Sequence, residues 1–208
     1  MSEAPQQPEW IPAPEVPPLC GDEPFVGVSA TVADFWRFAM SDLRVNNTRG
    51  YLAEFLVARA LGSSAHRVEW DDYDVLWRDI KIEVKASAYL QAWPQRAPSQ
   101  LRFTGLRGHS WGDITQGMST EKTYKADVYV LAALTTTSHA DYDPLDVSAW
   151  EFFVIPRSKL IELGVDSIGR STAARLSPSL RFDQLAEAIA NAAAPASSSA
   201  ADDPDRAT

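Results

Sequence analysis

Cysteine is almost missing from this chain of 208 residues: Cys20 stands alone. That excludes an internal disulfide framework and a cysteine-rich zinc site. Long apolar runs are missing too. The longest, Val128 to Leu134, falls far short of the roughly 20 residues a membrane-spanning helix needs. The opening MSEAPQQPEW has neither the basic start nor the greasy stretch of a secretory signal, so the expectation is a cytoplasmic protein that makes no use of a membrane. An excess of positive charge is lacking as well. Lys and Arg number 19 against 28 Asp and Glu, a net charge of -9, which argues against a protein coated in cations for bulk nucleic-acid binding. The three histidines, His66, His109 and His139, show no metal-ligand spacing, and no Gly-rich phosphate loop occurs. Asp141, Asp143 and Asp146 lack the Gly and terminal Glu of a calcium loop and read as a solvated loop.

What is present is a globular balance, 45% apolar and 23% charged, long enough for one medium domain. Seven of the 14 prolines fall within the first 24 residues, so residues 1–30 read as an extended, disordered arm. From Ala192 the chain is Ala, Ser, Asp and Pro without an apolar period, a second disordered tail over 192–208. The foldable part is 31–191. Within it the pattern predicts a helix from Val32 to about Leu43. A stronger one over TRGYLAEFLVARAL is capped by Asn47 or Thr48 and closed by Gly62. The period then changes to 2. EWDDYDVLW and IKIEVKAS read as strands joined at Arg78-Asp79. ADVYVLAALT and WEFFVIP are further strands, followed by a short helix near Ser158 to Leu163 and a final helix in FDQLAEAIANAA. This order predicts an α/β fold, a central mixed sheet flanked by helices.

The chemistry concentrates around IKIEVKAS. Alternation puts Ile80, Ile82, Val84 and Ala86 on one face, packed on the Gly50 to Leu61 helix, and Lys81, Glu83, Lys85 and Ser87 on the other. If Arg78 and Asp79 form the turn, Trp77 faces Ile80, Asp74 lies opposite Glu83 and Asp72 opposite Lys85. Like charges directly opposite are destabilising. A divalent cation reverses that penalty, because two converging carboxylates make a hard oxygen site suited to Mg²⁺. A register slip or an open loop would separate the two acids instead. Lys85, about 7 Å from Glu83 along the strand, can hold a water against a phosphate and stabilise charge in the transition state. The plain alternative is a salt bridge to Asp72. Glu54 has Gly50, Tyr51, Val57 and Ala58 as its helical neighbours, none of them charged, and a carboxylate on a packed helix needs a partner or a metal.

With GYLAEFLVARALG, YDV and IEVKAS in that order, the chain resembles the PD-(D/E)XK nuclease superfamily, the restriction-endonuclease-like fold with an αβββαβ-type core. The resemblance is close over about residues 48–91 and looser through ADVYVLAAL. It implies Glu54 as the helix acid, Asp74 as the motif Asp, and Glu83 and Lys85 as the Glu-x-Lys pair. Tyr73 occupies the place of the superfamily's Pro, which leaves Asp72 as an alternative to Asp74. The resemblance further implies Mg²⁺, with Mn²⁺ as a substitute, held by Asp74, Glu83 and Glu54 with the Val84 carbonyl as a further ligand, and hydrolysis of phosphodiester bonds assisted by Lys85. Gln91 sits where exonuclease-like members carry a Gln near the site, and Ser87 shares the active face; both are accessory candidates, each with an equally plain structural role.

The stretch from Trp93 to Lys125 carries Arg96, Arg102, Arg107, Lys122 and Lys125 with Trp93 and Trp111. Cations mixed with aromatics suit a nucleic-acid surface, and Arg49 at the helix start could join them. The expected activity is thus a metal-dependent nuclease acting on DNA, with RNA as the other substrate. A homodimer or a larger nucleoprotein assembly is left open. The rival reading is a catalytically inactive nucleic-acid-binding or protein-interaction module on the same fold.

Overall fold

The computed structural model describes residues 16–67, 71–111 and 118–194. The expected tail therefore lies outside the described residues from 195 on, as do residues 1–15 of the expected arm and the Glu69-Trp70 start of the first expected strand. The chain divides into two units at Ser41/Asp42, not at the expected boundary of 30/31.

The N-terminal unit holds α1 (Val32–Met40), whose Thr31 and Asp34 form a reciprocal cap across the first turn. Ahead of it, residues 16–30 are not a plain extended arm. Glu23 accepts from the Cys20 and Gly21 N–H groups at 2.8 Å, and Pro24 bridges Thr31. The aromatics of α1, Phe35, Trp36 and Phe38, are exposed.

The second unit carries everything else. Its elements are α2 (Asn46–Ala60), β1 (Val75–Trp77), β2 (Ile80–Ala88), β3 (Arg102–Thr104), β4 (Gly108–Trp111), β5 (Met118–Thr123), β6 (Val128–Leu134), β7 (Trp150–Pro156), α3 (Arg157–Leu163), β8 (Ser167–Gly169), α4 (Arg170–Leu176) and α5 (Leu185–Ala193). The central sheet runs β1-β2-β6-β7. β2 and β6 are parallel, while β1 and β7 pair antiparallel to them, so this is an α/β fold built on a mixed sheet. Two small ribbons, β3-β8 and β4-β5, lie outside it.

Alternation along β6 sorts the core into two layers. Val128, Val130, Ala132 and Leu134 join Ile82 and Val84 of β2 against Ala53, Leu56 and Val57 of α2 and Leu185 and Ile189 of α5. Tyr129, Leu131 and Ala133 face the other way, with Phe103 of β3, Leu160 of α3, Ile168 of β8 and Ala173 of α4. β2 is partnered by the same rule. Its aliphatic face packs on α2, as its sequence demands, and Glu83, Lys85 and Ser87 fall on the opposite side, beside Tyr129, Leu131 and Ala133 of β6.

α2 starts a little before its expected cap. Val45 is the boundary residue, and no side chain caps the first turn. Thr48 instead turns its hydroxyl back to the Asp42 and Val45 carbonyls, at 2.6 and 3.0 Å. Gly62, at φ +68°, turns the chain out of the helix as expected.

Candidate active site

The hairpin that builds the site closes through Arg78 and Asp79, at φ 49° and 66°. Two consecutive left-handed residues are the signature of a type I′ turn, whose twist matches that of the flanking strands. The register follows: Trp77 pairs with Ile80, Leu76 with Lys81 and Val75 with Ile82. There the ladder ends. Asp74 does not form the next face-to-face pair with Glu83. Its N–H donates to the Ile82 carbonyl at 2.9 Å, and its Oδ2 accepts the Val84 N–H at 2.7 Å. The physical reason is that the Asp74 side chain takes over as acceptor where the backbone of β1 leaves the sheet. Among the described residues the short edge strand thus leaves that edge of β2 without a strand partner from Glu83 onward, and a carboxylate is seated there.

Glu83 and Lys85 share one face, and the Lys85 ammonium donates to Glu83 Oε1. Both are largely covered, at 16% and 26% side-chain exposure. Burial first, and then the Asp74 charge, push the Glu83 carboxyl above its usual range, while Lys85 and Lys125 pull it back. Glu54 comes from the α2 layer. Arg67 donates to its Oε2 at 2.6 Å and stacks on Tyr51 of the same helix, 4.3 Å from the ring centre. Burial and the Asp74 charge raise the Glu54 carboxyl to about 7, against the opposing pull of Arg67 and Lys85. Asp74 thus acts electrostatically on both other acids, and Lys85 acts on both as well. These four residues form one cluster.

Asp72 stands beside it, paired with Lys125 at 3.1 Å; in place of the alternative Asp72–Lys85 bridge, Lys85 pairs with Glu83 and Lys125 with Asp72. The stems of both lysines pass glycines of the β3-to-β4 segment. A Cβ on Gly108 would meet Lys125 Cε at 3.2 Å, and one on Gly105 would touch Lys85 Cε at 4.0 Å.

The other candidates are placed differently. Ser87 is buried, and its Oγ accepts the Arg102 N–H at 3.1 Å, which fastens β3 to β2. Gln91 is buried as well. It accepts from Arg49 Nη2 at 3.2 Å and donates to the Ala88 carbonyl at 3.0 Å. Both read as internal links. Arg49 is only 4% exposed, so the expectation of a surface phosphate contact there is corrected: its guanidinium bonds inward to the Arg44 carbonyl, Asn46 and Gln91. Arg96 and Lys122 are exposed. Arg102 donates to Ser167 Oγ at 2.6 Å, and Arg107 pairs with Asp166 at 2.5 Å. Trp93 is exposed, and Trp111 closes β4. Sequence reasoning missed Arg67, which lies beyond the end of α2 and outside any periodic pattern, and it grouped Lys125 with the nucleic-acid contacts without seeing that it pairs with Asp72 and acts on Glu83.

As a metal centre the cluster offers only hard carboxylate oxygens. Among the described residues, Asp74 Oδ1 accepts no hydrogen bond, and two of the three acids carry raised pKa values because of burial first and the Asp74 charge second. That donor chemistry fits Mg²⁺, which is held by one or two carboxylates together with waters and substrate oxygens. Among the described residues, no group of three or more Asp, Glu, His or Cys side chains is placed to hold a metal ion as it stands. Glu83 in particular is turned onto Lys85, so ligation by Glu83 requires its carboxylate to swing away from the ammonium.

Comparison of the chain with protein-family models, with curated proteins and with solved structures finds no match.

Proposed function

We propose that the second unit is a metal-dependent nuclease of the restriction-endonuclease-like fold, hydrolysing phosphodiester bonds in DNA. The observation that carries this reading is the Asp74 carboxylate seated on the edge of β2 beyond β1, bonded to the N–H between Glu83 and Lys85. A chain under no constraint but stability has no reason to bring a third acid to a buried Glu.

Asp74 and Glu83 would hold Mg²⁺ or Mn²⁺, with the Val84 carbonyl and Glu54 in support. Such an ion supplies a water of lowered pKa and neutralises phosphate charge. The side chains do the rest. Lys85, released from Glu83, places its ammonium against a non-bridging phosphate oxygen and steadies the charge that grows there in the transition state. Arg67 fixes the Glu54 carboxylate through their 2.6 Å bond. Glu54, with a carboxyl near neutrality, can accept a proton close to the reacting atoms. The route is direct hydrolysis, with no covalent intermediate on the protein.

The test is cleavage of single- and double-stranded DNA and RNA with Mg²⁺ or Mn²⁺. Cleavage is expected with the metal and is stopped by a chelator. It is expected to vanish in Asp74→Ala and to fall about 100–1,000-fold in Lys85→Ala, while their circular dichroism stays that of the parent. Intact substrates under every condition would leave Glu83 and Lys85 as a salt bridge in a non-catalytic module.

A further inference from the structure

Among the described residues three buried polar atoms have no hydrogen-bond partner: Arg49 Nε, Tyr142 Oη and Trp150 Nε1. All three can donate. They belong to one end of the layer that holds α2. Arg49 lies in the first turn of α2, and its Nη2 reaches Gln91, which in turn bonds the Ala88 carbonyl at the end of β2. Ala88 pairs with Leu134, and Leu134 with Trp150, straight across β2, β6 and β7. Tyr142, in the loop between β6 and β7, packs against the same core, close enough to Arg49 for the guanidinium charge to act on its phenol.

Asp42 also acts on the Tyr142 phenol, but it is paired with Arg44. Arg49 is 4% exposed and forms no ion pair with a described carboxylate. Its guanidinium turns back to the Arg44 carbonyl at 3.0 Å and to Asn46, which aims it at the start of α2. That 15-residue helix has no side-chain cap and no acid in its first turn, so no protein charge answers the positive end of its dipole there. A buried water can accept from two of these donors, but it would leave the cation unneutralised. An oxyanion answers both deficits.

We propose that this end of α2 binds one small oxyanion of the phosphate class, held by Arg49 Nε and Tyr142 Oη, with the first-turn N–H groups and Trp150 Nε1 completing its shell. Burial of Arg49 restricts the occupant to a free ion. The site is separate from the carboxylate cluster, and the inference does not depend on nuclease activity.

The test uses the full chain with chelator present and inorganic phosphate as the probe, against chloride at matched ionic strength. Phosphate at roughly 100 times its dissociation constant is expected to raise the melting temperature by about 5–10 °C. Arg49→Met abolishes the rise, Tyr142→Phe reduces it, and Lys85→Ala retains it. Absence of a rise in the parent overturns the proposal. So does a rise that is unchanged in Tyr142→Phe, which decides the matter if Arg49→Met does not fold, and so does a rise lost in Lys85→Ala, which would move the ion to the carboxylate cluster. Stabilisation by a 5′-phosphorylated oligonucleotide but not by inorganic phosphate would likewise overturn it.

Discussion

Lys85 has one charge and two claims on it. It neutralises Glu83, two residues away on the same face, and it is the only described lysine whose charge acts on both Glu54 and Glu83; in the proposed reaction it must serve the phosphate instead. Removing a single donor aimed at developing charge lowers turnover by about 100–1,000-fold. Lys85→Ala is therefore expected to cost that much in kcat, measured on a labelled duplex, with the folded state intact by circular dichroism. Glu54 makes a second, separable prediction. Its carboxyl is held at about 7 against an ordinary value of 4.5, so the folded chain binds the extra proton between those two pH values. The stabilisation is fully present below pH 4.5 and is lost as pH rises through about 7. Glu83, also raised, acts in the same direction. Asp42, held near 2, has the opposite sign, and its contribution is lost only in strong acid. The metal-free protein should thus lose on the order of 2 kcal/mol between pH 4.5 and 7.5, after allowance for solvent screening. Melting temperatures across that range check it: Glu54→Gln should flatten the decline, and Mg²⁺ should restore stability at the upper end.

At the scale of elements, the hairpin is the part most dependent on local conformation. Asp79 sits at φ 66°, where a residue with a Cβ carries a cost that Gly does not. Asp79→Gly keeps Arg78 stacked on Trp77, 4.4 Å from the ring centre. It is expected to gain about 0.5–1 kcal/mol, net of the added freedom of the unfolded chain, read as a higher urea midpoint with an unchanged slope. The elements differ in how well their sequences announce them. β2, β6 and β7 are legible because each is long enough to show its period, and α2 because a helical period closes on Gly62. β3 and β8 are not, since each spans three residues and gains its stability from a partner far along the chain, Arg102 against Gly169. The type I′ turn was legible in register but not in chemistry, because Arg-Asp is a poor dipeptide for it. Asp74 shows the limit within the site. Its residue type pointed to the cluster, but its exit from the ladder depends on where β1 stops. Arg49 shows the same limit elsewhere: it is buried and bonds Gln91, 42 residues on, which no local pattern could supply.

For the whole molecule, the uneven distribution of charge matters more than its total. Both core layers draw their buried members from Ala53 onward, whereas α1 leaves Phe38 88% exposed and is organised by its own cap. A chain beginning at Asp42 is therefore expected to unfold cooperatively, with a melting temperature within about 4 °C of the parent, the shift that 1 kcal/mol produces in a domain of this size. The same truncation removes six acids and one base, which brings the net charge from -9 to -4. A negative protein approaching a negative strand is slowed by repulsion that extends about 10 Å at 0.1 M salt and about 30 Å at 0.01 M. The shortened chain should consequently show a higher kcat/KM on DNA at low ionic strength, with an unchanged kcat, and the advantage should fade as salt is added. A kcat/KM that stays equal for the two chains at every salt concentration would mean that the acids before Asp42 lie too far from the approaching strand to matter. A fall in kcat would instead make those first residues part of the catalytic unit.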